Sequence, residues 1–314
     1  MKLIVTIDVE EEGLFRGRYD PFDVPVSNVP VLSRLDRVFQ EWGIRPTLLL
    51  TYHVVRFEPY HDLLIDLKNR WGAEIGAHLH HWNTPPLRVL PYSEPIPSEL
   101  IPEDLLTQKM NSLLEAFNPI GVSPLSFRMG RFNMGPKMFS VLEKTNILVD
   151  SSLAPMRRQY GGPNHLNAQI DPYFPDPANL LVSGSSPILE VPITIVPLTA
   201  RLGHWLERLR TRSIFPEAPI SWFAMNLGSL PIQPAWTGLR RLKSATYLHR
   251  ERGGQVLTIF FHSSELIPGS CPQHPTAEHV DRFLDKLSRF LTWLHRSMAV
   301  ESLTLSDLRK TYGP

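Results

Sequence analysis

Residues 74–86 read EIGAHLHHWNTPP, which sets His78, His80 and His81 within four positions ahead of Trp82. Near neutral pH an imidazole is mostly uncharged and carries a lone pair ready for a cation or a proton. In an extended chain residues two apart share a side, so His78 and His80 face together and His81 points away. Joined by a carboxylate, such a pair suits Zn²⁺ or a similar divalent ion. Candidate carboxylates stand near the start of the chain, where IDVE at 7–10 places Asp8 and Glu10 two apart, again on one side. Two acids so placed repel unless a cation or proton lies between them. The division of labour this suggests is one metal ligand and one general base. Glu11 and Glu12 follow directly, so the stretch also reads as the solvated acidic end of a strand.

Three further stretches carry candidate groups. SFRMGRF at 126–132 supplies Arg128 and Arg131, either of which can pair with a carboxylate or hold an anionic substrate group. VDSSL at 149–153 supplies Asp150, suited to orienting a partner side chain or to making a simple turn. IFFHSSEL at 259–266 sets His262 after a near-continuous apolar run, a natural position for a general acid, with Glu265 three residues on. Trp82, Arg131, Asp150 and Glu265 are the candidates for contact with substrate.

The elements that must position these groups alternate in type. Short apolar runs at 3–9, 46–55, 73–79, 125–132, 147–155, 187–194 and 256–262 read as strands. Helical spacing appears at 29–44, 61–72, 101–117, 135–146 and 276–298, with Gly43 and Gly72 as stops. Residues 300–308 close the chain. Strands alternating with helices imply parallel βαβ units. Seven or eight of them close into an irregular α/β barrel, whose active groups sit at the C-terminal ends of strands. Every candidate above lies at or just past such an end, so they are expected to converge on one mouth. Residues 200–250 hold Trp205, Trp222 and Trp236 without a clean period and are expected to form an insertion that lids or flanks the mouth of a single domain over 1–314.

Bulk composition narrows the class. Lys and Arg number 32 against 31 Asp and Glu, which gives no basic surface for nucleic acid. The single cysteine, Cys271, cannot form an internal disulfide, so nothing requires an oxidising compartment. The apolar run at the N-terminus is too short for a secretory signal, and no run is long enough to span a membrane, so a cytoplasmic location is expected. The 30 prolines gather at 21–30, 85–102, 155–197 and 215–234, where long ordered loops are expected around the scaffold.

Taken in order, TIDVE at 6–10, EIGAHLHHW at 74–82, SFRMGRF at 126–132, LVDSS at 148–152 and LTIFFH at 257–262 resemble the motifs of the polysaccharide deacetylase (NodB-homology, carbohydrate esterase 4-like) family. The DVE and HLHxW variants, with FHSSELIPG, resemble a divergent branch of it near bacterial exopolysaccharide clusters. The resemblance implies a distorted (β/α)7 barrel and a divalent metal, most often zinc. It also implies hydrolysis of N- or O-linked acetyl groups on a polysaccharide or oligosaccharide. Asp8 aligns with the catalytic base, Arg128 with the arginine that pairs with it, His262 with the acid histidine and His78 with the first metal histidine. The metal-ligand aspartate falls on Val9 and the second histidine on Trp82. Glu10, or Asp8 itself, must therefore replace the first, and His80 or His81 the second. Two other readings stay open: hydrolysis of a small C–N amide of the cyclic ureide kind, and a catalytically retired barrel that binds glycans.

Overall fold

The computed structural model describes all residues except 23, 159–161, 213–215 and 314. Seven parallel strands form the frame: β1 (Lys2–Val9), β2 (Thr47–Leu50), β3 (Glu74–Leu79), β4 (Ser126–Met129), β5 (Val149–Asp150), β6 (Leu189–Glu190) and β7 (Val256–His262). They lie in the order β7-β1-β2-β3-β4-β5-β6, and β8 (Glu301–Leu303) also runs beside β1. β1 is buried from Leu3 to Val9, as a parallel strand covered on both faces must be. Its register with β7 sets Asp8 beside His262, and that of β3 with β4 sets His78 beside Arg128.

The result is the expected distorted (β/α)7 barrel, curled rather than fully closed. Among the described residues β6 and β7 share no ladder. Thr194, four residues past β6, bridges the gap: its N–H donates to the Thr258 carbonyl at 3.1 Å, and its Oγ1 accepts from the Thr258 N–H at 2.8 Å.

The outer layer contains α1 (Asp36–Trp42), α2 (Tyr52–Arg56), α3 (His61–Trp71), α4 (Glu103–Ala116), α5 (Pro136–Leu142), α6 (Leu202–Thr211), α7 (Glu217–Asn226), α8 (Leu239–Glu251), α9 (Ala277–Ser297) and α10 (Leu305–Lys310). Gly43 and Gly72 end α1 and α3 with φ of 58° and 59°, the left-handed cap that glycine adopts without strain. α9 presents Val280, Phe283, Leu287, Phe290, Leu291 and Leu294 to the core, one apolar stripe at helical spacing.

Several expected elements differ in extent. The run 46–55 is a strand only to Leu50; Val54 and Val55 are buried as part of α2, since an apolar run satisfies either geometry. Residues 147–155 keep strand form only at Val149–Asp150, because the Ser151 and Ser152 hydroxyls turn inward to Val191 O, Arg128 and Met129 N. Residues 187–194 keep it only at Leu189–Glu190, between Pro187 and Pro192, which have no N–H for a ladder. The helix expected at 29–44 winds as a 3₁₀ turn over Pro30–Leu35 before α1. Most of the described 200–250 stretch is regular: α6, α7, α8 and a short strand. α8 packs on α9 through Tyr247 and Trp293, and strand residues 229–231 pair with 195–197. α6 and α7 pack as a pair on a separate small core with Phe132, Met156 and Phe260.

Candidate metal and hydrolytic site

Glu10, His78 and His80 are the one group among the described residues whose side chains could jointly hold an ion. His78 Nε2 lies 3.6 Å from Glu10 Oε2, His80 Nε2 lies 3.4 Å from it, and the two Nε2 atoms are 3.0 Å apart. With bonds of about 2.0–2.1 Å, neighbouring ligand atoms on a zinc tetrahedron stand about 3.3–3.4 Å apart. The three donors therefore already have the spacing of one coordination face. Their lone pairs are also aimed. The Nδ1 of His78 is 2.9 Å from the Arg128 carbonyl, which can only accept, so Nδ1 carries the hydrogen. The Nδ1 of His80 lies 2.7 Å from Glu11 Oε1. A carboxylate behind a ligating histidine fixes its ring and raises its basicity. Asn83 Nδ2 donates to the same Glu11 oxygen at 2.5 Å, and Asn28 Nδ2 donates to the Glu10 carbonyl at 2.6 Å.

His81 takes no part in this group; its Nε2 is 3.0 Å from Glu94 on the proline-rich loop. β3 ends at Leu79, and the turn that follows directs the His81 ring away from Glu10, buried against Trp82 and Glu94. Val9 packs in the core. Trp82 stacks on the His80 ring at 4.2 Å between centroids. Gly130 matters to the same ring: a Cβ there would fall 2.7 Å from His80 Cδ2.

Beside the three donors lies an acid–base set. Arg128, fully buried, donates from Nη1 to Asp8 Oδ1 at 2.5 Å. Three more of its five N–H donors go to Thr6 Oγ1, Ser151 O and Ser151 Oγ, so the guanidinium is locked and Asp8 with it. Asp8 Oδ2 stands 4.0 Å from His78 Nε2 and 3.9 Å from His262 Nε2. His262 is held from behind by Glu265, whose Oε1 meets Nδ1 at 3.2 Å and also accepts from Trp236 Nε1 at 3.0 Å. Phe15 packs edge-on against His262 at 5.1 Å.

The electrostatics follow from burial among charges. Burial alone would lower the proton affinity of His262, but Glu10, Glu265 and Asp8 outweigh it and lift its pKa to about 10. His80 is likewise pushed down by burial and lifted, chiefly by Glu11 and then Glu10, to about 9. Burial pushes Glu10 up, but the charge at His262 and the hydrogen bonds from His78 and His80 hold it well below the usual carboxylate range. A cluster of two basic imidazoles and strongly acidic carboxylates is one that a cation can enter by displacing protons.

The substrate-facing candidates separate. Asp150 is fully buried against Ser152 and Glu190, one strand register away, and does not reach the mouth. Burial raises both acids, Asp150 to about 6 and Glu190 further, so the pair holds a proton beneath the site. Glu265 is also fully buried and reaches His262, not the mouth. Trp82 is 8% exposed. Arg131 lies between Tyr19 and Trp82, its guanidinium carbon 3.9 and 4.2 Å from the ring centroids, with Glu94 at 3.4 Å. Sequence reading passed over Glu11, Asn83, Asn28 and Glu190. Glu11 stands in an acidic run that looks solvated, and the others carry no local signal.

No protein-family model and no curated protein sequence matches the chain. Solved structures do. A protein assigned as a glycoside hydrolase/deacetylase from Parabacteroides distasonis superposes with a TM-score of 0.66 at 14% identity, over 99% of this chain and 70% of that one. One assigned as a polysaccharide deacetylase from Mycobacterium smegmatis gives 0.53 at 16%, over 99% and 90%. The 4-alpha-glucanotransferase of Thermococcus litoralis gives 0.57 at 13%, over 100% of this chain and 41% of that one. The fold is therefore that of the polysaccharide deacetylase barrels, shared at low sequence identity.

Proposed function

We propose that the protein is a metal-dependent hydrolase that removes acetyl groups, N- or O-linked, from a polysaccharide or oligosaccharide, with a place in exopolysaccharide biosynthesis. The observation that carries this reading is the juxtaposition of three ion donors at 3.0–3.6 Å with an arginine-held carboxylate and a carboxylate-held histidine. Glu10, His78 and His80 would hold the ion, and their nitrogen and oxygen donors suit Zn²⁺. Such an ion supplies a Lewis acid for an acyl carbonyl and lowers the pKa of water toward about 7. Asp8, fixed by Arg128, takes the proton from the attacking water. His262, kept protonated by its carboxylate neighbours, gives a proton to the departing amine or alkoxide. Arg131 and Trp82, which stack beside His80 and are nearly covered, are the residues proposed to meet the sugar.

His78→Ala should lose both bound metal, read by elemental analysis, and acetate release from acetylated oligosaccharides. Asp8→Asn should keep the metal while turnover falls about 10²–10⁴-fold. A protein that binds no divalent ion and releases no acetate after zinc is supplied sinks the proposal. One observation favours a second reading, a small cyclic amide as substrate: of the proposed ion donors and the acid–base pair, only His262, 16% exposed at its side chain, shows appreciable surface, while Asp8, Glu10, His78 and His80 show 6% or less. Ring opening of a cyclic ureide, without acetate release from any sugar, would decide for it. Against the retired-barrel reading, Glu10 and His80 supply ion donors close to Val9 and Trp82, the motif positions that lack them.

A further inference from the structure

We propose that α6 and α7 seat the protein on an anionic membrane surface beside the barrel mouth. The helices pack through Leu206, Ile220 and Ala224 onto a cluster that includes Phe132 and Phe260. Those two rings flank the Arg128 guanidinium at 5.1 and 5.7 Å, so the helix pair backs the rings that touch the site's arginine. The outer face is apolar where water should meet it. Leu198, Trp205, Trp222, Phe223, Met225 and Leu227 are 38–57% exposed. Among the described residues, six of the seventeen exposed large apolar side chains thus fall within thirty positions, whereas single exposed ones are ordinary. α7 buries only Ile220 and Ala224, so its apolar surface lacks a partner within the chain.

Charge selects the occupant. Between 198 and 230 the acids are Glu207 and Glu217, and both are taken, by Arg210 and by Arg158. Arg201, Arg208 and Arg212 are exposed and make no ion pair among the described residues. Interfacial tryptophans, acyl-seeking Leu and Met, and unpaired arginines are the features of a helix that lies in an anionic lipid headgroup layer. A second copy docked here about a two-fold axis would bring arginine to arginine with no free acid to answer. A glycan would find no use for Leu198, Met225 and Leu227.

The test uses full-length protein and sedimentation with vesicles of phosphatidylcholine alone or mixed with phosphatidylglycerol, with no sugar present, so it is independent of the proposed reaction. Wild type should pellet with the anionic vesicles and be released by about 0.5 M salt. Trp222→Ser with Phe223→Ser should abolish pelleting, and each of Arg201→Gln, Arg208→Gln and Arg212→Gln should weaken it about fivefold. Unchanged circular dichroism would show that the variants fold. Wild type left in the supernatant, or pelleted equally by neutral vesicles, overturns the proposal. So does a dimer, seen by light scattering, that the Trp222 and Phe223 changes dissolve.

Discussion

At the scale of single residues the site is a balance of protons and carboxylates. His262 and His80, at about 10 and about 9 in the folded chain, have values near 6.5 when unfolded. A raised folded value contributes stability that is complete below pH 6.5 and is lost as pH climbs through 9 and 10. Metal-stripped protein should therefore unfold at lower urea concentration at pH 10 than at pH 7, and His262→Gln should flatten that dependence. A midpoint that holds or rises over this range would contradict the charge arrangement. Some of these residues were legible from spacing: Asp8 and Glu10, and His78 with one neighbour, follow from two-residue periodicity. The choice between His80 and His81 did not, because it turns on where β3 stops. Glu11 was hidden because a buried second carboxylate and a solvated acidic run are spelled with the same letters.

At the scale of elements the strand ends must approach closely for the donors to meet. The ends of β3 and β4 do so at Gly130, where any Cβ would press on the His80 ring and the Leu79 carbonyl, at 2.7 and 2.8 Å. Gly130→Ala should therefore tilt the His80 ring and weaken zinc at least about tenfold in competition with a chromophoric chelator, since a displaced ligand costs more than one factor of ten. Wild-type affinity in that variant would show that the ring has room to move. Continuous apolar runs made β1, β3 and β7 readable, and α9 was readable from its stripe. β5 and β6 came out far shorter than their apolar runs. Inward-turned serines and flanking prolines end a ladder without lowering hydrophobicity. The residues around Trp236 showed no period because they form a turn, with Ile232 and Ala235 in the core and the Trp236 indole on Glu265.

At the scale of the whole molecule, alternation of strands and helices was enough to imply a barrel, but not that it stays open between its first and last members. No helix among the described residues is long and apolar enough to cross a membrane. The exchange between Thr194 and Thr258 is the weakest stretch of the ring, since one pair of bonds replaces a ladder. In hydrogen exchange the amides of Thr194 and Thr258 should trade before those shared by β1 and β2; the reverse order would mean the gap is held by something else. A cylinder laced at one point has a designated first tear. That tear borders β7, which carries His262, and is a full strand removed from Glu10 and further from His78. On the proposed reading, heating would then displace His262 before it parts Glu10 from His78, and re-lacing the gap would restore the set.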